Sequence, residues 1–405
     1  MSTIGVIGGG PAGMMAALQA TTQGARVLLF DANNKLGRKL VSTGSGRCNI
    51  SNLQAKADRY YTDDFETLNT ILSELNTTSL LRILSSYAIP TSATPDGWIY
   101  PLSDSAANVA SILTNQLQAR EVTIYLHTLV TDIQVNNKGF QIKVADADNN
   151  FQADKIIIAC GSPAYPQLGA RHNLLTTLEK LGHTTQTFQP ALTPILTDPR
   201  PLHKLQGVRM DMQVGLHSGK QAIAQTTGNV IITSWGLNGP GVMDLSHHIS
   251  IEPHKEYWLH LNFLYANEEL LRTALKKPEN SKLAVLDILL SFLPQKVAVW
   301  LLQHCKISPN LSLAKLSDTH AEKIIQSLKD TRVAVKGVQG FKKAQAASGG
   351  VLLSEIHADS LESKKVSGLY LAGEILNVLG PCGGFNLHWA FVSGYLAGQN
   401  AAKTC

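Results

Sequence analysis

The chain has 405 residues, of which 44% are hydrophobic and 16% charged, and a formal net charge of +5. That length suits two or three domains and a large core, which excludes a peptide-sized or disulfide-dependent fold, and the low charge excludes a disordered chain. The basic excess is local: residues 1–189 hold 14 basic and 14 acidic side chains, residues 190–345 hold 18 and 12, and residues 346–405 hold 3 and 4.

The first charged side chain is Arg26, and Gly8-Gly9-Gly10-Pro11 interrupts the apolar start, so no export signal is predicted. Thr3 to Gly8 reads as a strand, Pro11 to Gln23 as an Ala- and Met-rich helix, and Val27 to Phe30 as a second strand closed by Asp31, together a β-α-β unit. A Gly-rich connection from Asn33 to Asn52 follows, then helical patterns around Phe65–Tyr87 and Asp104–Ala119. Next come alternating segments at Val122–Leu126, Ile133–Val135 and Phe140–Val144, and the apolar run Lys155–Ala159. Pro190, Pro194, Pro199 and Pro201 mark a change into strand-like segments, which turn helix-rich from about Asn267 to Lys329 before Gly337-Val338-Gln339-Gly340 returns the chain. After Ser348-Gly349-Gly350 the sequence reads as core again and ends in a glycine-punctuated helix. From Ile375 to Ala402 there is no Asp, Glu, Lys or Arg, yet Asn377, Pro381, Asn386 and His388 interrupt every bilayer-length window, which predicts buried core and no membrane span. The order of elements predicts an α/β protein with a discontinuous nucleotide-binding domain, residues 1–189 and 346–405, and an inserted domain, residues 190–345.

Five cysteines (Cys48, Cys160, Cys305, Cys382 and Cys405) are scattered without C-x-x-C spacing, which predicts a reducing cytoplasm and neither a disulfide framework nor a zinc site. The middle segment holds 8 of the 13 histidines and the basic excess. This bias suits a phosphate-rich partner or an ordinary solvated surface, and no basic stripe with interleaved aromatics is visible along the sequence. His247, His248, His254 and His260 lack carboxylate or thiolate partners at ligand spacing, so no metal site is predicted.

Gly8-Gly9-Gly10-Pro11-Ala12-Gly13 fits G-x-G-x-x-G between a strand and a helix. Gly8 permits the tight turn, Gly10 lets a pyrophosphate approach the backbone, and Gly13 lets helix and strand pack closely. Asp31 lies 18 residues after Gly13 at the end of the second strand, where a carboxylate accepts hydrogen bonds from an adenosine ribose. These features suit FAD and NAD alike. The discriminating segment is Gly37-Arg38-Lys39-Leu40-Val41-Ser42-Thr43-Gly44-Ser45-Gly46-Arg47-Cys48-Asn49, a glycine loop with fixed cations that would lie along a dinucleotide's phosphates. The alternative reading of Arg38, Lys39 and Arg47 is an RNA patch, but their place in a glycine loop next to Asp31 favours cofactor phosphate or flavin contacts.

This run, the fingerprint before it, and Gly373-Glu374 with Gly380 and Gly383-Gly384-Phe385-Asn386 after it resemble the BaiN/RdsA-type family of FAD-dependent oxidoreductases. The likeness extends in order over most of the chain, through Gly97-Trp98-Ile99-Tyr100-Pro101, Pro190-Ala191-Leu192-Thr193-Pro194, Gly236-Leu237-Asn238-Gly239-Pro240 and Gly349-Gly350-Val351. The resemblance implies a two-dinucleotide-binding-domain, Rossmann-like FAD fold with an inserted β-rich and helical domain. It also implies FAD contacts that include Ala32, Val130, Gly161 and Leu387. It implies reduction of a carbon-carbon double bond, in a steroid-like enone or in a ribosomal RNA uracil that becomes dihydrouridine. Asn377 and Cys382 depart from the family's usual Asp and Thr, and Cys160-Gly161-Ser162-Pro163-Ala164-Tyr165-Pro166 lacks its usual Thr and Ser.

Glu374 is placed to accept a hydrogen bond from the ribityl chain, and a helix beginning near Gly384 would aim its positive end at the isoalloxazine. Hydride transfer to an electron-poor alkene leaves a carbanion that needs a proton, for which Cys382, His388, Tyr165 and Cys48 are the candidates. Cys382 reads equally as a small filler, His388 as a capping or packing residue, and Cys48 as packing against the flavin. No second G-x-G-x-x-G follows a strand, so NAD(P)H, as electron donor, would have to use the substrate's side of the flavin. The reading favours an FAD-dependent reductase with a lean to rRNA uracil. The alternatives are a small-enone reductase, an amine or hydroxy-acid oxidase, and a non-catalytic flavin redox sensor.

Overall fold

The computed structural model describes residues 2–145, 150–170, 174–277 and 281–403, so Cys405 lies outside the described residues. They fall into two compact units, Met1–Gln189 with Gln345–Cys405, and Pro190–Ala344.

The first unit is built on a five-stranded sheet whose members all run parallel. β1 (Thr3–Ile7) leads through the helix α1 (Pro11–Thr22) to β2 (Arg26–Phe30). Helix α2 (Ala106–Ala119) precedes β3 (Thr123–Tyr125), β4 (Lys155–Ile158) follows, and β5 (Leu369–Leu371) comes from the far end of the chain. The order is β5-β4-β1-β2-β3. Successive strands therefore leave β1 in opposite directions, and the crevice at such a reversal lies beyond the carboxyl ends of the strands. The turn after β1 is the glycine fingerprint.

α1 is buried from Ala12 to Ala20 on every face, which is why its sequence is apolar without a stripe. The last helix, α3 (Phe385–Ala402), covers it. A Cβ built at Gly394 would overlap the carbonyl oxygen of Ala12, and one at Gly398 that of Ala16, so the two backbones touch with nothing between them. The uncharged run 375–402 is thus the core of this unit, and no described helix is long and apolar enough to cross a membrane. The helical pattern 65–87 divides into Phe65–Glu74 and Thr77–Ser86 because the Asn76 side chain accepts from the Ser79 N–H and starts a new helix.

The second unit closes six strands into a barrel, in the order Ile195–Thr197, Gly236–Asn238, Gln221–Ile232, Arg209–Ser218, Trp258–Asn262 and Thr331–Val338. Closure leaves no exposed edge. Leu259 and Leu261 are fully buried, whereas Trp258, His260 and Asn262 alternate to the outer face. Helices Glu268–Lys276, Val285–Leu290, Gln295–Cys305 and Asp318–Lys329 stand between the fifth and sixth strands of that order.

Candidate functional site

β1 is followed by Gly8 with φ +108°, a conformation that side chains with a Cβ rarely adopt, and a Cβ at Gly13 would overlap the Gly8 carbonyl oxygen. Gly10 differs: a Cβ there would meet nothing within 4 Å, so its face is open. Pro11 occupies the first position of α1, where an N–H would have no helical partner. No acidic residue stands in that first turn and no described side chain caps it. The positive end of α1 therefore lies beside the open Gly10, with no acidic side chain in its own first turn.

Asp31 is fixed above this turn. Its Oδ2 accepts from the Gly9 N–H at 2.7 Å, its Oδ1 accepts from the Asn33 N–H at 2.7 Å, and its own N–H donates to the Tyr125 carbonyl of β3 at 2.9 Å. Each carboxylate oxygen keeps a second lone pair for a further donor. Gly37 N–H donates to the Gly9 carbonyl at 2.8 Å and Arg38 Nη1 to Asn33 Oδ1 at 2.9 Å. His127 and Thr128 donate to the carbonyls of Asn33 and Asp31, which lays the segment entering Val130 alongside half-buried Ala32.

A second group forms around Glu374. Its Oε2 meets Lys39 Nζ at 2.6 Å and lies 4.0 Å from where a Gly161 Cβ would be, while Oε1 accepts from the Ala347 N–H at 3.0 Å. Gly373 is held by α3: its N–H donates to Ser393 Oγ at 2.9 Å and its carbonyl accepts from Trp389 Nε1 at 3.1 Å. Arg47 donates through Nε to both Asp104 oxygens at 2.8 Å and lies 4.3 Å over the Tyr100 ring. Ser45 is left-handed (φ 57°), Gly46 is open like Gly10, and Cys48 is fully buried, its thiol pushed up to about 12 by burial. All three cations of the loop thus have protein partners.

The start of α3 is a tight turn. A Cβ at Gly384 (φ 96°) would overlap the Ser51 carbonyl oxygen. The Asn49 amide donates to the carbonyls of Ile99 and Ser51 at 3.2 and 3.0 Å and accepts from the Gly384 N–H at 3.2 Å. Asn386 closes the turn on itself, accepting from the Gly380 N–H at 2.9 Å and donating to the Gly380 carbonyl at 2.8 Å. Buried Phe385 stands edge-on to Tyr60, whose hydroxyl donates to the Phe385 carbonyl at 2.9 Å. Gly383 accepts from Asn52 Nδ2 at 2.9 Å, and Leu387 is half-buried. α3, like α1, has no described side-chain cap and no acid in its first turn.

Two of the candidate proton donors, Cys382 and Tyr165, are each half-buried. Burial, and then the charge of a Cys382 thiolate, hold the Tyr165 hydroxyl above its ordinary value. His388 is corrected. It is fully buried, its Nδ1 is 2.8 Å from Ser51 Oγ, its Nε2 has no described hydrogen-bond partner, and burial pushes its titration down to about 4. A neutral imidazole sealed from solvent is not a proton donor to substrate; it supports Ser51 and the turn beneath Gly384. Cys48, fully buried, is likewise packing.

Sequence reasoning missed Asp104, Ser51, Asn52, Ser393 and Asp63, whose roles depend on distant partners. Asp63 explains one departure. Asn377 is buried, donates through Nδ2 to Asp63 Oδ1 and Gln186 Oε1, both at 3.1 Å, and accepts from the Gly349 N–H at 3.0 Å. An Asp there would offer no donor and would face Asp63. The histidines of the second unit divide: His247 and His248 lie ring to ring at 4.0 Å, whereas His260 pairs with Asp330 at 2.7 Å and stacks on His217. Among the described residues no group of three His, Cys, Asp or Glu is placed to hold a metal ion.

A parallel sheet with its order reversed at a glycine turn is the architecture of a Rossmann-type protein, and this one is a flavin-dependent oxidoreductase. More narrowly, the chain belongs to the family described as HI0933-like protein Rossmann domain, which matches residues 2–400. It is 34% identical, over 100% of both chains, to the 3-dehydro-bile acid delta(4,6)-reductase of Clostridium scindens. It is 28% identical, over 98% of both, to the ribosomal RNA dihydrouridine synthase of Escherichia coli. Among solved structures, 3-ketosteroid-delta4-(5alpha)-dehydrogenase from Rhodococcus jostii matches 100% of this chain and 97% of its own length with a TM-score of 0.55 at 16% identity, a likeness of fold.

Proposed function

We propose that this protein binds FAD and reduces a carbon-carbon double bond conjugated to a carbonyl, in a uracil of ribosomal RNA. The observation that carries the reading is the Asp31 carboxylate, fixed by two backbone N–H groups over the open Gly10 and the uncapped end of α1. Asp31 would hold the ribose, with Ala32 and Val130 on the adenine side, and Gly8 to Gly13 the pyrophosphate. Gly37 to Lys39, Ser45 to Asn49, Gly161, Gly373, Glu374 and Gly383 to Leu387 would hold the remainder. The open faces of Gly10 and Gly46 leave room for a ligand where a Cβ would stand, so the residues present fit the group. Bound FAD supplies the hydride, and NAD(P)H is the reductant we assign to restore it.

The chain itself supplies the proton. Cys382 and Tyr165 are the donors we assign: burial, and then the charge of a Cys382 thiolate, oppose ionisation of the Tyr165 hydroxyl, which keeps its proton for the substrate. The first-turn N–H groups of α3, which have no intrahelical partner, favour negative charge developing beside them. RNA is the favoured substrate because the unit Pro190–Ala344 carries 18 basic against 12 acidic side chains. A small enone is the second reading, favoured by the 34% identity to a bile acid reductase.

Anaerobic reoxidation of the reduced protein tests this. An rRNA transcript should restore the yellow absorbance and gain dihydrouridine. Reoxidation by a steroid enone alone would select the second reading. Reoxidation by neither, with peroxide formed from an amine or hydroxy-acid, would overturn both.

A further inference from the structure

We propose that the outer face of the barrel in the unit Pro190–Ala344 is a docking surface for single-stranded RNA. The choice of polymer rests on the uracil reading; the surface itself is defined by residues of this unit alone.

Three neighbouring strands build it. Across from Trp258 stand His217 on one side and Ala334 on the other, and across from His260 stand Gly215 and Arg332. Residues directly opposite share a face, so these side chains join the outward row of Trp258 and His260. Gly215 contributes no side chain, and the His217 ring lies over it, with Nε2 3.0 Å from where a Cβ would be. There it stacks on His260, with ring centroids 3.9 Å apart and planes 28° apart. Trp258 beside this pair is 42% exposed, a large flat surface left to solvent.

Cations interleave with the rings. Arg332 donates through Nε and Nη2 to Asp330 Oδ2 at 2.8 and 2.7 Å, an arrangement that leaves Nη1 outside the pair, and its side chain is 63% exposed. Lys336, four residues further along the same strand at a register shift, is exposed. The carboxylates beside them are already engaged: Asp330 also meets His260 Nδ1 at 2.7 Å, and Asp198 is held by Arg200. Arg332, Asp330 and Thr331 continue into an open groove of about 470 Å³ whose walls include Trp300 and His304, stacked at 5.5 Å and 18°.

Flat rings alternating with fixed positive charge match unpaired bases alternating with phosphates, the combination by which sheet and barrel faces bind single strands. A protein partner would be met by a drier, less charged face. The stripe is invisible along the sequence because His217, Trp258 and Arg332 come from three different strands.

The test is binding of a labelled, unpaired rRNA fragment to the flavin-loaded full chain across a range of salt. Wild type should bind with an affinity that falls as salt rises. Trp258→Ala should bind about tenfold more weakly, the loss of one stacked base, and Arg332→Gln with Lys336→Gln should lower the salt slope by about two. Both variants should keep wild-type flavin absorbance and melting temperature. Absence of salt-dependent binding by wild type, equal affinity for a duplex of the same length, or wild-type behaviour in both variants would overturn the surface. RNA that binds here yet never reoxidises the flavin would defeat the uracil reading and leave the surface standing. RNA that reoxidises the flavin equally well in both variants, with unchanged affinity, would do the reverse.

Discussion

Helices Phe65–Glu74, Thr77–Ser86, α2 and Asp318–Lys329 each begin on a side chain that closes them: Asp64, Asn76, Ser105 and Ser317 accept N–H groups from their first turns at 3.0 to 3.3 Å. α1 and α3 begin on Gly10 and Gly384, with no described cap and no acid in the first turn. These four helices satisfy their first turns with their own sequence, whereas the two most buried helices have no such cap; among the peripheral helices Glu268–Lys276 and Gln295–Cys305 also go without one. Interior donors left open are costly unless something answers them, and a phosphate and an anionic ring are the groups a flavin dinucleotide brings.

Four experiments would break or sharpen that contrast. The largest effect is expected at Gly13: Gly13→Ala forces a Cβ onto the Gly8 carbonyl and should cost about 4 kcal/mol or more of stability, whereas Gly10→Ala, with open space around it, should leave the melting temperature unchanged and weaken flavin retention. Equal melting curves for the two would erase the distinction between a packing glycine and a ligand-facing one.

His388, beneath the α3 turn, comes next. Its imidazole titrates near 4 when folded, against an ordinary 6.5, so between those values only the unfolded chain takes up the proton. Stability should therefore fall by about 3 kcal/mol as pH drops through that window, and His388→Gln, which keeps a partner for Ser51, should flatten this part of the profile. An identical pH profile in the variant would place the imidazole in a wetter site than described. Cys382→Ala should retain flavin and slow substrate-dependent reoxidation about a hundredfold; wild-type rates would reduce the thiol to packing. Asp31→Ala should lower flavin affinity about tenfold, measured as yellow absorbance retained on dilution, and undiminished retention would mean the ribose lies elsewhere.

The N-terminal strand, turn and helix were readable because their determinants are neighbours: Gly8, Gly13 and Asp31 are fixed by spacing within one β-α-β unit. The Asn76 cap was also present in the sequence, as Asn76 with Ser79 three residues on, but lay inside an uninterrupted apolar period. What could not be read is tertiary. Lys39 meets Glu374 across 335 residues, and nothing local says that a cation in a glycine loop already has a carboxylate. The burial of His388 was not readable either, because first-turn position is legible in a sequence and burial is not. The aromatic and cationic face of the barrel exists only once three strands are in register, and the barrel's closing strand, Thr331–Val338, lies beyond the helical stretch.

Gly394 and Gly398 press the final helix directly onto Ala12 and Ala16. During translation, α1 emerges before α3 and has no such cover until some 370 further residues have followed it out of the ribosome. A flavin is therefore expected to be retained only after α3 has emerged, and a nascent chain arrested before residue 394 should be colourless.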